Sequence, residues 1–464
     1  MPQRRFFHIQ SATAHFRGTL GNGSLNKLAR ATGFVQRQRK VTALSIVVAF
    51  LVTLGGQSAG LISDVLRTLN EQTEQKLKYK PFWNRLAKRS FVAFMRGLFE
   101  QLCQEMSLRI LECAVGGRAK PFSVILIDDG CSFALADGLR HIFPGRFTKI
   151  KPAAVELHAH MNLLTGNLQR VTLAPDKEAE RQFLPAPESL PKNSLSLRDR
   201  GYMDVPYLER LNKHGAFLIY RARTDINPTI VRVVRGMPPK KARSWEGKRL
   251  QGFKSAMPRR DVELVVCWPR PEGRSCDLRL VIRYNPPKPE APKRIRTKGK
   301  TKQRSTSESW TWLLTNLPAS TSAWAVGQLY RLRWQIELVF KELKSYANLH
   351  ALQSEQPQIV EGFIWASLCV AFLKRAVAHM AQLLLHRPVS TQLVAMAGPH
   401  IVRLLADWIR FGFRPHHLDR LLTFILGNAL PTHPERNARA PATVLGLRPI
   451  THPLDALLGR SRVG

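Results

Sequence analysis

The sequence predicts an α/β fold flanked by helical regions at both ends. Three observations carry this. Helical periodicity runs through about residues 24 to 118, strand patterning begins at Pro121, and helical periodicity returns after about residue 319. With 464 residues and 44% hydrophobic content, the chain can build a full core and several domains.

The first region, residues 1–118, reads as helical. SLNKLARATGF opens on Ser24 as the expected N-cap and stops at Gly33. VTALSIVVAFLVTLGG, SAGLISDVLRTLNEQ and FWNRLAKRSFVAFMRGLFEQLCQEM follow as helices. The stretch from Ser58 to Leu86 fits a helix-turn-helix with Lys76, Lys78, Lys80 and Arg85 facing DNA, or equally a helical bundle with solvated lysines.

Residues 119–223 change period. PFSVILIDDGCSFAL is a buried strand, an apolar run ending in Asp128 and Asp129. KPAAVELHAHMNLLTG and NLQRVTLAP form a hairpin turning at Thr165-Gly166-Asn167. A short helix is expected near 177–183, then a strand, NSLSLRDRGY, ending at Asp199. The helix VPYLERLNKHG stops at Gly215 and AFLIYRAR is a fifth strand. A hairpin-built half thus joins a βαβ half. Residues 224–318 form a β-rich insertion with strands in DVELVVCWPR, CDLRLVIRY and SWTWLLTNL. A basic Pro-rich link, NPPKPEAPKRIRTKGKTKQRSTS, runs between the last two. A helix-bearing segment, 319–350, and a helical C-terminal region, 351–464, complete the chain; the latter is the expected dimer interface.

Charge narrows the function. Against 33 Asp and Glu stand 71 Lys and Arg, a formal net charge of +38, which calls for a polyanionic partner. Nucleic acid ranks before an anionic membrane surface. The longest apolar runs, around Ala43–Leu54 and Phe363–Leu373, fall short of the roughly 20 residues of a spanning helix, and no signal peptide is expected at the N-terminus. Six cysteines form no CxxC pair, which argues against a zinc ribbon or disulfide framework and fits a reducing cytosol.

The most informative stretch is YRLRWQIELVFKELKS. On a helix turning about 100° per residue, Tyr330, Arg333, Glu337, Lys341 and Lys344 lie on one side, opposite Leu332, Ile336, Val339, Phe340 and Leu343. One carboxylate among cations and a phenol suits a site that holds a divalent metal and grips phosphates. The candidate partner acids are Asp129 (or Asp128) and Asp199, each at a strand end. Each has a plainer reading: strand-end aspartates cap helices and turns, and Glu337 has Lys341 four residues on. His158 and His160 share a strand face but lack a third ligand, and His416-His417 reads as a surface turn. The basic run from 293 to 304 reads as a phosphate-binding stretch.

Four pieces together resemble the DDE transposases of bacterial insertion sequences, in the branch marked by a YREK signature. IDDGCSFAL with FPGRF is similar to that family's first-acid strand, and LRDRGYMDVPYLERLNKHGAFLIYRAR to its second-acid region. Tyr330, Arg333, Glu337 and Lys344 match the signature, and LARATGFVQRQRK is similar to the group's N-terminus. The resemblance covers most of residues 24 to 350. It implies an RNase H-like core carrying the β-rich insertion. It also implies cut-and-paste transposition of double-stranded DNA, the element's terminal inverted repeats being cut and joined to target, through a hairpin intermediate. Asp129, Asp199 and Glu337 would ligate two Mg²⁺ ions, with Mn²⁺ as a substitute. Tyr330, Arg333 and Lys344 would hold phosphates, with Lys341 beside them. Trp310 or Trp312 would stack a flipped base, unless both pack a core. A homodimer in a bacterial cytoplasm, at the nucleoid, is the implied working form. One departure stands out: the family shows one aspartate, a small residue, then Ser or Thr, whereas Asp128 and Asp129 are adjacent here and Cys131 stands near the hydroxyl position. A metal-dependent nuclease and a non-catalytic DNA-binding relic are the alternatives.

Overall fold

In a computed structural model, the described residues are 2–37, 41–56, 61–114, 116–119, 121–270, 273–286, 310–346, 354–431, 443 and 445–450. The basic Pro-rich run from 293 to 304 lies outside them.

A mixed sheet organises the middle of the chain. Its first five principal strands are β1 (Ile125–Ala134), β2 (Lys151–Asn162), β3 (Asn167–Pro175), β4 (Leu195–Arg198) and, after helix α1 (Val205–His214), β5 (Phe217–Arg221). Four more follow: β6 (Thr229–Arg235), β7 (Val262–Cys267), β8 (Leu278–Tyr284) and β9 (Trp310–Thr315). The spatial order is β3-β2-β1-β4-β5-β9-β8-β7-β6, with a short strand, Pro144–Phe147, also pairing with the outer edge of β2. β1, β4 and β5 run parallel; the other pairings are antiparallel. Strands from residues 224–318 therefore extend one sheet, because β9 pairs directly with β5. Parallel β4 and β5 need a crossover, which α1 supplies. Asp204 caps its start by accepting from the Tyr207 N–H at 3.1 Å, and Gly215 at φ +85° ends it.

The sheet's period of two divides its side chains between two cores. Ile125, Ile127, Cys131, Leu195, Leu197 and Ile219 join the larger core, shared with the N- and C-terminal helices. Val124, Leu126, Leu218, Tyr220, Leu264, Ile282 and Trp312 join the smaller one, closed by Leu208 and Leu211 of α1 and by Trp245. The larger core centres on a 29-residue helix, α4 (Pro357–Leu385), reached from the sheet through α2 (Ala323–Arg331) and α3 (Trp334–Tyr346). α4 is long and apolar enough to cross a membrane, contrary to the expectation from run length. It is instead buried: Phe363 packs on Phe50 and Phe91, and its polar groups Arg375 and Gln382 bond carbonyls of Gly166, Ile110 and Ile450.

Several local expectations change. The N-terminal helix beginning near Ser24 starts at Asn22 with Gly21 as cap, and Ser24 sits inside it, donating to the Gly18 carbonyl. Gly33 at φ +69° does end that segment, and a further helix, Pro2–Leu20, precedes it. The helix near 177–183 is a single 3₁₀ turn, Glu180–Phe183. His416 and His417 begin the helix Pro415–Asn428 instead of a turn. In the proposed helix-turn-helix stretch, Ile62–Thr73 and Tyr79–Leu86 are helices whose connection is closed by Asn70 bonding both backbone groups of Leu77. Lys76, Lys78 and Lys80 are exposed, but Arg85 stacks on Phe34 at 4.7 Å.

At the sheet centre, Asp128 is flanked in register by Arg198 on β4 and His160 on β2. Arg198 Nε donates to Asp128 Oδ2 at 2.7 Å and His160 Nδ1 lies 2.8 Å from Oδ1. Arg198 also donates to the Tyr220 hydroxyl. Burial alone would raise the Asp128 carboxyl, but Arg198 and His160 outweigh it and hold it well below the usual carboxylate range. Removing one partner strands a buried charge. Arg198→Leu should lose about 3–5 kcal/mol of unfolding free energy in urea titration, and adding Asp128→Leu should recover much of it. An unchanged midpoint in the single variant would refute the pair's structural role.

Candidate active site

The alternation of β1 separates its adjacent aspartates. Asp128 faces the smaller core and is committed to Arg198, while Asp129 turns to the opposite face, the one covered by α2 and α3. The apolar run could not make this choice, because both faces of β1 are buried. Asp199 follows the last residue of β4, level with Asp129 because Arg198 pairs with Asp128. Glu337 lies in the first turn of α3.

The expected single helix from Tyr330 to Lys344 is broken. α2 ends at Arg331, α3 begins at Trp334, and Leu332 and Arg333 form a turn between them. Bonds to the third residue back tighten it: Leu332 N–H to Leu329 O, Arg333 N–H to Tyr330 O, and Ile336 N–H to Arg333 O, all 3.0–3.2 Å. Leu332 and Ile336 stay buried, as the pattern required, while Arg333 is swung inward. Its Nη1 donates to Asp129 Oδ2 and its Nη2 to Glu337 Oε1. Glu337 is thus paired with the arginine four residues before it, not with Lys341 four residues after it. Tyr330 donates its hydroxyl to Asp199 Oδ1 at 3.2 Å, and Arg221 lies 3.8 Å from the same oxygen. Asp129, Asp199, Glu337, Tyr330 and Arg333 therefore converge from β1, the end of β4, α3, α2 and the turn between the two helices.

The electrostatics follow from this convergence. Burial pushes Asp129 up to about 6; Arg333 and the Gly130 N–H pull it down, while Glu337 and Asp199 add repulsion. Tyr330 is raised by burial and by Asp199. Cys131, two residues past Asp129, is pushed up to about 11, mainly by burial, with Lys344 opposing. It is a buried thiol, and nothing there marks it as a nucleophile. Lys344 reaches over the Phe133 ring at 5.6 Å, alongside β1. Lys341 is exposed on α3.

The sequence reading missed the groups that hold this arrangement. Glu342, five residues after Glu337 and so roughly 140° around α3, points inward and is buried. It accepts from Arg375 Nη1 at 2.7 Å and from the Thr391 hydroxyl at 3.1 Å. Arg375 Nη2 also donates to Gly166 O at 2.6 Å, tying α3 through α4 to the β2–β3 turn. The place of Glu342, three residues after Val339 and beside the edge of the apolar stripe of α3, was the available signal. Arg221 was legible too, as the cation at the end of the strand beside Asp199.

Beside Asp199 opens a cavity of about 840 Å³, lined among others by Arg181, Arg200, Arg221, Arg223, Trp310 and Trp312. Trp312 is 4% exposed and packs in the smaller core, whereas Trp310 is half-buried, tilted on Tyr284 at 5.6 Å. Of the two histidines set aside, His160 is bonded to Asp128, while His158 stacks on Phe183 at 4.0 Å with neither ring nitrogen bonded among the described residues.

This site lies largely within the part of the chain, residues 144–373, that matches the family model for the transposase DDE domain. The chain belongs to the DDE transposases of bacterial insertion sequences. The match includes Asp199 and Glu337 and begins after Asp129. Among similar proteins, the transposase for insertion sequence element IS231F of Bacillus thuringiensis subsp. israelensis is 23% identical over 380 residues, covering 78% of this chain and 79% of that one. The transposase for IS1151 of Clostridium perfringens is 24% identical over 373 residues, 76% and 77% of the two chains. Among solved structures, the piggyBac transposase synaptic complex with hairpin DNA aligns over 91% of this chain and 85% of that one, at 11% identity and a TM-score of 0.42.

Divalent metal chemistry is general in this family, and the transposase's donor set can be tested against it. Three carboxylates from three elements supply hard oxygen donors of the kind Mg²⁺ takes. Their mutual repulsion, felt by Asp129, is what a cation would relieve. Among the described residues no three such side chains already form a metal-holding group; Arg333 supplies the cationic charge between Asp129 and Glu337. The chemistry fits, provided Arg333 yields its place.

Asp129 holds its proton more tightly in the fold than the ordinary value of 3.8, so its ionisation costs stability as pH rises through about 6. In EDTA, Asp129→Asn should therefore gain on wild type as pH rises, its stability relative to wild type being higher at pH 8 than at pH 4 by up to about 2.5 kcal/mol. Urea titration at both pH values checks this, and the same difference between the two proteins at both would contradict the buried, crowded carboxylate.

Proposed function

We propose that the protein is a cut-and-paste transposase that cleaves DNA at the ends of its insertion sequence and joins those ends to target DNA. The observation that carries this is the convergence of Asp129, Asp199 and Glu337 around Arg333 and Tyr330. The strand order β3-β2-β1-β4-β5, with β1, β4 and β5 parallel, supports an RNase H-like core. The spacing of Tyr330, Arg333, Glu337 and Lys344 supports the YREK branch.

Asp129, Asp199 and Glu337 would hold Mg²⁺, which when bound activates the attacking oxygen and stabilises the leaving one. In the first step water attacks the phosphorus at the element end, the P–O3′ bond breaks, and the 3′-oxygen leaves as a hydroxyl. That hydroxyl then attacks the opposite strand, closing a hairpin and releasing flanking DNA. Water attacks the hairpin phosphorus and frees the 3′-hydroxyl again, which then attacks a target phosphodiester, breaking its P–O3′ bond and releasing a target 3′-hydroxyl. Arg333 and Tyr330, released from their carboxylates, turn to the substrate phosphates, with Lys344 and Lys341 further along α3. The arginine-rimmed cavity beside Asp199 suits a nucleotide flipped from the closing hairpin, with Trp310 as its stacking surface and Trp312 as the buried support beneath. A homodimer acting on both ends completes this reading, in a bacterial cytoplasm.

A supercoiled plasmid carrying the element's two ends, incubated with Mg²⁺ and run on denaturing gels, tests it. Wild type should cut at the ends and join them; Glu337→Gln should bind and do neither. Trp310→Ala should keep first-strand nicking and lose hairpin product about tenfold or more. Products identical in wild type and Glu337→Gln would remove the catalytic assignment, and cutting without joining would leave a nuclease.

A further inference from the structure

The chain between β1 and β2 projects past the carboxylates. β1 runs five residues beyond Asp129, and β2 begins at Lys151, eight residues before the position opposite Asp129. Eight extended residues set Lys151 roughly 26 Å along the sheet from Asp129. There the short strand Pro144–Phe147 pairs with the start of β2. The tip is the turn Phe147-Thr148-Lys149-Ile150, closed by the Ile150 N–H donating to Phe147 O at 3.1 Å.

This tip exposes apolar side chains that a free surface would not favour. Phe147 is 60% exposed, Ile150 80% and nearby Ile142 50%. Single exposed apolar residues are ordinary, but three on one projecting hairpin mark a contact surface. The charge around them says what kind. Arg140, Lys149 and Lys151 are exposed beside them, and residues 138 to 155 contain no Asp or Glu. Arg146 is half exposed and already paired, its side chain donating to Glu156 and to the Asp176 carbonyl, and Asp137 lies before the segment. A second copy of the same tip would meet like charge, whereas a polyanion with an apolar interior meets both features. Lys344 over Phe133, four residues past Asp129, continues the cationic line between the carboxylates and the tip.

We infer that this hairpin tip is a wedge for duplex DNA: Lys149, Lys151 and Arg140 grip phosphates while Phe147 and Ile150 press between base pairs and bend the duplex. At about 3.4 Å per step, the wedge would act roughly eight base pairs from the phosphate at Asp129. The inference rests on the proposed DNA reading but not on catalysis.

The test uses the full chain in EDTA and a duplex of about 24 base pairs, roughly 80 Å long, with a donor and acceptor dye at its two ends, titrated from about 50 to about 200 mM salt. Wild type should raise energy transfer on binding, as the ends approach. Phe147→Ser with Ile150→Ser should bind at least fivefold more weakly at every salt, keep the slope of log affinity against log salt, and lose the energy-transfer change. Lys149→Ala with Lys151→Ala should lower that slope by roughly two. Both pairs are exposed, so folding should be retained, which circular dichroism checks. Wild-type affinity and bending in the apolar variant overturn the wedge. So does a fall in that variant's oligomeric state by light scattering with DNA bending intact, which would make the tip a protein contact. Because bending needs no metal, a protein that bends DNA but never cuts the element ends keeps the wedge and loses the transposition reading. One that cuts without bending does the reverse.

Discussion

The geometry of this site depends on the alternation of one strand. β1 carries two aspartates in succession, and its period of two sends them to opposite faces of the sheet. Asp128 is held by Arg198 and His160 in register on the neighbouring strands, which fixes β1 against β2 and β4. With that face committed, Asp129 can only face α2 and α3. A one-residue slip would put either Gly130 in place of Asp129, emptying the site, or Ile127 in place of Asp128, leaving Arg198 buried without its acid. The ion set behind the sheet thus determines which acid faces α2 and α3.

The third acid is positioned by a different device. Continuous helix from Tyr330 would carry Arg333 and Glu337 past the sheet on one cylinder. The tightened turn at Leu332 and Arg333 instead lets the tyrosine approach Asp199 from one helix while Glu337 approaches from the next. The Glu342–Arg375 pair on the inner side of α3 then resists rotation of the helix that carries Glu337. Arg333 meanwhile bridges two carboxylates that would otherwise repel each other at short range, which offsets part of that repulsion without a bound metal. In the proposed reaction the same guanidinium is a phosphate ligand, and its exchange of partners would couple substrate arrival to release of the carboxylates.

Charge is distributed to match. The cavity beside Asp199 is rimmed by arginines and backed by two tryptophans, and exposed lysines run along α3 and onto the projecting hairpin. A net charge of +38 is a bulk statement about a polyanionic partner; the arrangement of cations around the carboxylates gives that partner a direction across the surface.

The strand and helix succession from β1 to β5, the apolar stripe of α3 and the set of acids worth considering are legible from the residues alone, because these are local: period, caps and turn residues act within a few positions. Gly215 ending α1 and Asp204 capping it are of this kind. The choice between Asp128 and Asp129 was not local. Both faces of β1 are buried, so only the partners Arg198, some 70 residues away, and Arg333, some 200 away, distinguish them. The break at Arg333 was likewise hidden, since an unbroken helix satisfies the same hydrophobic pattern and contacts with the sheet decide where the guanidinium goes. The membership of β9 in the same sheet as β1 also belongs to tertiary structure alone, because strand pairing across a long connection leaves no periodic mark.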